Sequence, residues 1–137
     1  MKDVKGTTRV CGIIGNPVGH SVSPVLQNTL ADITGTELVY VPFKVEDNIK
    51  AAIEGAYALN VFGLNVTHKS AVIECLADID PIAASIGAVN TLVRTDRGYK
   101  GYNTDILGLK RELEEAGIAL GGRRVIILGA GGAARAI

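Results

Sequence analysis

Apolar positions along the chain fall into short runs of two kinds, and the two kinds alternate. Residues 9–14 are β-rich and almost continuously apolar, and they stop at Gly15-Asn16-Pro17, a turn cluster. The pattern predicts a buried strand feeding a loop. Ser23-Pro24 then offers a helix cap and a first-turn proline, after which Val25, Leu26, Thr29, Leu30 and Ile33 recur at helical spacing until Gly35. The sequence repeats this order: 37–43 reads as a strand, 48–58 as a helix with Ile49, Ala52, Ile53 and Ala56 inward, and 62–66 as a strand. Such alternation predicts a parallel sheet covered by helices.

The next stretch predicts a helix over 70–77 and a second one begun by Asp80-Pro81 and continued by the small residues of 82–87. Residues 88–94 and 99–102 flank Thr95-Asp96-Arg97-Gly98, which has hairpin turn chemistry, so the sheet gains an antiparallel edge and becomes mixed. From Thr104 onward Ile106, Leu109, Leu113 and Ala116 keep helical spacing to Gly117, while Lys110, Arg111, Glu112, Glu114 and Glu115 take the other face. Gly121-Gly122 separates that helix from a fresh apolar run, 124–128, read as a strand. The expected class is α/β. A mainly parallel mixed sheet flanked by helices occupies 1–103, a connecting helix 104–118, and the first strand and turn of another domain 119–137.

Composition narrows the function classes. The 137 residues suffice for one sizeable core but not for a second complete domain. Fourteen basic and fourteen acidic side chains cancel, which gives no electrostatic reason to expect nucleic acid or an anionic membrane as partner. No apolar run reaches the roughly 18 residues that span a bilayer, and the first residues lack the apolar stretch of a secretory signal. A cytoplasmic protein with a small-molecule ligand is expected. Cys11 and Cys75 read as ordinary buried thiols of a reducing compartment, and His20 and His68 lack acidic or cysteine partners at ligand spacing, so no metal is expected.

The sharpest local motif is the apolar run ending in Gly129-Ala130-Gly131-Gly132-Ala133-Ala134, a G-x-G-x-x-A pattern between an expected strand and an expected helix. Gly129 permits a tight turn, Gly131 lets backbone approach a pyrophosphate, and the free N–H groups of a helix start attract phosphates. That is the opening of a Rossmann dinucleotide site, although a glycine-rich turn in some other α/β protein carries the same letters. The residue that selects NAD or NADP lies roughly 20 positions further on, and a lone strand and helix stub form no crevice. Residues 1–137 alone are therefore expected to bind no dinucleotide tightly and to be inactive.

Four polar clusters fall where strands of the first domain end: Ser21-Val22-Ser23, Asn65-Val66-Thr67-His68-Lys69, Ala88-Val89-Asn90-Thr91 and Asn103-Thr104-Asp105. Open α/β sheets bind ligands at the carboxyl ends of their strands. Short hydroxyl and amide side chains suit a polyhydroxylated ring, and a lysine adds a charge that attracts a carboxylate or moves a proton. Singly, each has a plainer use: Ser23 and Thr104 as helix caps, Asn65, Thr67 and Asn90 as satisfied turn residues, Lys69 as a solvated surface lysine. The clusters gain force jointly.

Taken together the motifs resemble the shikimate dehydrogenase family. The likeness runs from Gly15-Asn16-Pro17-Val18-Gly19-His20-Ser21-Val22-Ser23-Pro24 through Gly63-Leu64-Asn65-Val66-Thr67, Gly87-Ala88-Val89-Asn90-Thr91 and Gly101-Tyr102-Asn103-Thr104-Asp105 to Gly129-Ala130-Gly131-Gly132-Ala133. It implies reversible, usually NADP-dependent reduction of 3-dehydroshikimate to shikimate, on the way to aromatic amino acids, by a monomer or homodimer. It also implies site roles: Ser21 and Ser23 on the substrate carboxylate, Asn65, Thr67, Asn90 and Asp105 on ring hydroxyls, Lys69 and Asp105 as the catalytic pair, and Gly129, Ala130, Gly131, Gly132 and Ala133 on the cofactor. A quinate/shikimate enzyme using NAD and a non-catalytic shikimate-binding module are the alternatives. A folate-linked methylene dehydrogenase shares the layout, but the serine pair argues for a small acid. The chain departs from the family just before Lys69: Thr67 runs straight into His68-Lys69, where members insert an apolar residue and a proline. Such a shift moves a lysine head by several Å along extended backbone.

Overall fold

A computed structural model describes residues 3–131 and 134–136. The strands are β1 (Arg9–Gly15), β2 (Leu38–Lys44), β3 (Gly63–Val66), β4 (Asp78–Ile79), β5 (Thr91–Thr95) and β6 (Gly98–Tyr102); the helices are α1 (Ser23–Ile33), α2 (Ile49–Ala58), α3 (Pro81–Ile86) and α4 (Asp105–Glu115). The strands form one sheet in the order β2-β1-β3-β5-β6-β4. β1 pairs in parallel with β2 and β3, β4 in parallel with β6, and β5 runs antiparallel to both its neighbours. All strands but β5 therefore point one way, which agrees with a mainly parallel mixed sheet. Because β5 is reversed, its start lies at the same sheet end as the carboxyl ends of β1, β3 and β6.

Local chemistry sets most boundaries. Asn48 caps α2 by accepting the Ala51 N–H at 3.1 Å, and Asp80 caps α3 by accepting from Ile82 and Ala83 ahead of Pro81. The hairpin closes with Thr95 opposite Gly98, so Asp96-Arg97 is its two-residue loop. Period-two alternation splits the sheet into two faces. Ile14, Leu64, Val66, Leu92 and Tyr99 point to one face and form a buried core with Ile53, Ala56, Val72 and Ala83 from the segments that cover it. Cys11, Tyr40, Asn65 and Thr91 share the opposite face, where they border a groove of about 350 Å³.

Two expectations about the second half of the sheet are corrected. Over 70–77 there is only one 3-10 turn, Ile73–Cys75; Leu76 turns extended and the chain enters β4. Backbone groups here find sheet partners, Ala77 N–H on Tyr99 O and Asp80 N–H on Gly101 O, and that ladder outcompetes a helix of barely two turns. The antiparallel pair is consequently not the sheet edge, because β4 lies outside β6. On α1 the apolar stripe faces outward: Val25 is 73% and Ile33 75% exposed, while Ala31 is buried and Asn28 faces β2. The Asn28 amide both donates to Tyr40 O (2.8 Å) and accepts from Tyr40 N–H (2.9 Å), which satisfies the free backbone of edge strand β2.

The run 124–128 forms no strand, and Ile126 and Leu128 are 86% and 94% exposed. A strand needs a ladder partner, and no described segment supplies one. Gly129 keeps the positive φ of its turn, +115°, followed by a 3-10 turn at Ala134–Ala136 in place of the expected helix start. Gly132 and Ala133 lie outside the described residues.

Candidate active site

The polar clusters gather at one sheet end because β1, β3 and β6 finish there and β5 begins there. The close approach of β1 and β3 depends on a glycine: a Cβ on Gly15, whose φ is +140°, falls 1.8 Å from Thr67 Oγ1. Thr67 donates its backbone N–H to Ile14 O at 3.2 Å, and its hydroxyl lies 3.1 Å from His68 Nδ1. After β1, the Ser21 hydroxyl accepts the Ser23 N–H at 3.2 Å, so the two serines sit together at the start of α1. Ser23 does not serve as the cap expected of it; Val22 occupies that position.

Tyr40 opens a second set of hydrogen bonds. Its hydroxyl donates to Asn65 Oδ1 at 2.7 Å, and the Asn65 amide donates to Thr91 Oγ1 at 3.1 Å and Asn90 O at 3.4 Å. Thr91 Oγ1 donates to Asn90 Oδ1 at 2.9 Å, and Asn90 Nδ2 donates to Asp105 Oδ1 at 2.7 Å and Thr104 Oγ1 at 3.0 Å. Asn103, buried, accepts the Asp105 N–H and donates to Ala88 O, both at 3.0 Å, which ties the start of α4 to the loop before β5. Asp105 thus stands in the first turn of α4, where unpaired N–H groups favour a carboxylate. Its other oxygen pairs with Lys69 Nζ; the two side chains are 37% and 24% exposed. The shortened segment before Lys69 does not separate it from Asp105, because Val89 N–H holds the Lys69 carbonyl at 2.8 Å.

Four of the seven substrate-side candidates are thereby placed in one hydrogen-bonded neighbourhood, Asn65, Asn90, Lys69 and Asp105, while Ser21 and Ser23 form a separate pair at the start of α1. Thr67 adjoins them through the strand pairing at Gly15. Sequence reasoning passed over Tyr40, whose only signal was a polar tip inside an apolar run; that it shares a face with Asn65 follows from strand register. Burial pushes its phenol up to about 12, a shift the Ser23 hydroxyl partly opposes, so it stays a proton donor at neutral pH. Thr104 does not cap α4 with its side chain, having committed it to Asn90.

Among the described residues no group of three His, Cys, Asp or Glu is placed to hold a metal, and no helix is long and apolar enough to cross a membrane. A dinucleotide fits the described residues only in part. A Cβ on Gly131 would meet nothing within 4 Å, so the turn is open to a phosphate, but the unpaired run 124–128 supplies no wall of a crevice.

The fold is thus an α/β domain that assembles hydroxyls, amides and a lysine–aspartate pair at one end of its sheet. Residues 13–92 match the family model for the shikimate dehydrogenase substrate binding domain, and the chain belongs to that family. It is 50% identical, over 140 aligned residues, to the shikimate dehydrogenase (NADP(+)) of Moorella thermoacetica, covering 100% of this chain and 48% of that protein. The shikimate dehydrogenase structure from Aquifex aeolicus superposes with a TM-score of 0.93 at 39% identity, over 98% of this chain and 52% of that one. The Listeria monocytogenes shikimate 5-dehydrogenase, in complex with shikimate and NAD, gives 0.89 at 37% identity over 99% and 48%. The chain spans about half the length of these relatives.

Proposed function

We propose that this chain is the substrate-holding part of an NADP-dependent shikimate dehydrogenase, which reversibly reduces 3-dehydroshikimate to shikimate in aromatic amino acid biosynthesis in the cytoplasm. The observation that carries the reading is the Lys69–Asp105 pair, joined by hydrogen bonds through Asn90, Thr91 and Asn65 to Tyr40. Ser21 and Ser23 take the ring carboxylate, and Asn65, Thr67, Asn90 and Asp105 surround the ring hydroxyls. In this reading 1–103 is the substrate domain, 104–118 the connection, and 119–137 the beginning of the cofactor domain. Gly129, Ala130, Gly131, Gly132 and Ala133 supply its phosphate turn.

When bound, NADP supplies or accepts the hydride at the ring carbon. The chain's own residues handle the proton. Reduction of the ketone leaves an alkoxide, which the Lys69 ammonium protonates; in the oxidising direction the Lys69 amine accepts the hydroxyl proton. Asp105 holds Nζ in place through one oxygen while Asn90 holds the other. Since positioned acid–base groups contribute about 10²–10⁴-fold, Lys69→Ala in the full-length protein is expected to lower turnover by that order with a smaller change in KM. Unchanged turnover with only weaker binding would refute the proton-transfer role. Rates on shikimate and quinate, each with NADP and NAD, fix substrate and cofactor preference.

A further inference from the structure

We infer that Tyr40 and Thr91 are positioning residues, two links of a one-directional hydrogen-bond relay, Tyr40 to Asn65 to Thr91 to Asn90 to Asp105, that orients the ring-binding amides and the carboxylate facing Lys69. The inference rests on the functional reading above and adds two residues that the polar-cluster argument does not assign.

The direction of the relay is fixed by backbone groups that have no choice of role. The Thr104 N–H can only donate, and it lies 3.0 Å from Asn90 Oδ1, so the Asn90 amide nitrogen must face the other way, toward Asp105. The Asn90 carbonyl can only accept, and Asn65 Nδ2 approaches it at 3.4 Å, which turns Asn65 Oδ1 toward Tyr40. The Tyr40 hydroxyl must then donate. Between the two amides, Thr91 Oγ1 accepts a hydrogen bond from Asn65 Nδ2 and donates its own to Asn90 Oδ1 at 2.9 Å. Every link therefore donates toward Asp105. Aligned bonds of this kind polarise one another, and the chain ends on a charged acceptor, where a hydrogen bond is strongest.

A functional consequence follows from counting donors. Both hydrogens of Asn65 and both of Asn90 are engaged by the protein, so neither amide swings free to suit an incoming ligand. Their orientation is set beforehand, which lowers the ordering cost of binding a ring with hydroxyls at fixed positions. Removing the Tyr40 or Thr91 hydroxyl breaks the polarity of the whole run at different points.

The test uses Tyr40→Phe, Thr91→Val, Thr91→Ser and the Tyr40→Phe/Thr91→Val double variant in the full-length protein, with wild-type turnover on shikimate measured first. Each of the two hydroxyl deletions is expected to raise KM for shikimate about five- to tenfold, more than it changes kcat. Thr91→Ser, which keeps the hydroxyl, restores wild-type KM. Because the links act in series, the double variant is no worse than the worse single one. Independent effects that multiply in the double variant, or KM unmoved while kcat falls with stability, would overturn the relay. A separate readout does not depend on activity: in 137-residue chains, Tyr40→Phe is expected to shift the side-chain amide NMR signals of Asn90, two links beyond Asn65's oxygen. Unmoved Asn90 signals count against the relay, whereas a wild type inactive on shikimate counts against the functional reading instead.

Discussion

Replacing Tyr99 by Phe gives a stability change whose sign depends on pH. Tyr99 lies in the core, 2% exposed, with its ring edge-on to Tyr57 at 5.6 Å and its hydroxyl donating to Val61 O at 2.7 Å. At neutral pH the variant loses that bond and leaves a buried carbonyl unpaired, which costs about 1–2 kcal/mol. Burial also pushes the Tyr99 phenol from 10.0 up to about 12. A raised tyrosine value means that folding favours the neutral form, so its stabilisation is whole below pH 10 and is lost as the unfolded chain ionises first. A pKa unit is worth roughly 1 kcal/mol, so the wild type loses about 1 kcal/mol through Tyr99 by pH 11 and about 3 kcal/mol beyond pH 12. Tyr99→Phe lacks this loss. Urea midpoints of both proteins from neutral pH upward are expected to show the variant less stable at first, with the gap closing near pH 11. A gap that stays constant across that range would refute the linkage.

Two further predictions concern packing and thiol chemistry. Gly15→Ala is expected to cost about 2–3 kcal/mol, read as a lower urea midpoint, because the new methyl meets Thr67 Oγ1 at 1.8 Å on a backbone of positive φ. Thr67→Gly in that background should recover part of the loss, and an unchanged midpoint in Gly15→Ala itself would show that the strand ends yield easily. Burial raises the pKa of Cys11, against the Gly63 backbone hydrogen bond and the charge of Arg9, and also that of Cys75, so both free thiols are expected to react with a disulfide reagent more slowly than free cysteine at neutral pH. Reaction of native protein at the free-cysteine rate would contradict this.

What the sequence determined by itself was whatever depends on near neighbours. Period-two and helical spacing placed the flanking strands and helices, Asn48 and Asp80-Pro81 began their helices by local capping, and Asp96-Arg97 closed its hairpin. The same local logic brought the serine, asparagine and aspartate clusters to strand ends, since a strand that stops at a polar turn must leave those groups at the sheet edge. Tertiary structure alone decided the remainder. β4 exists because Ala77 and Asp80 find partners on β6, a choice invisible to a helical-looking run, and 124–128 stays unpaired because no described strand lies beside it. Tyr40 entered the site through register, which places it on the face of Asn65 across β1. Hydrogen-bond direction is likewise a property of groups distant in sequence, because the orientation of each amide is set by whichever fixed donor or acceptor the fold brings against it.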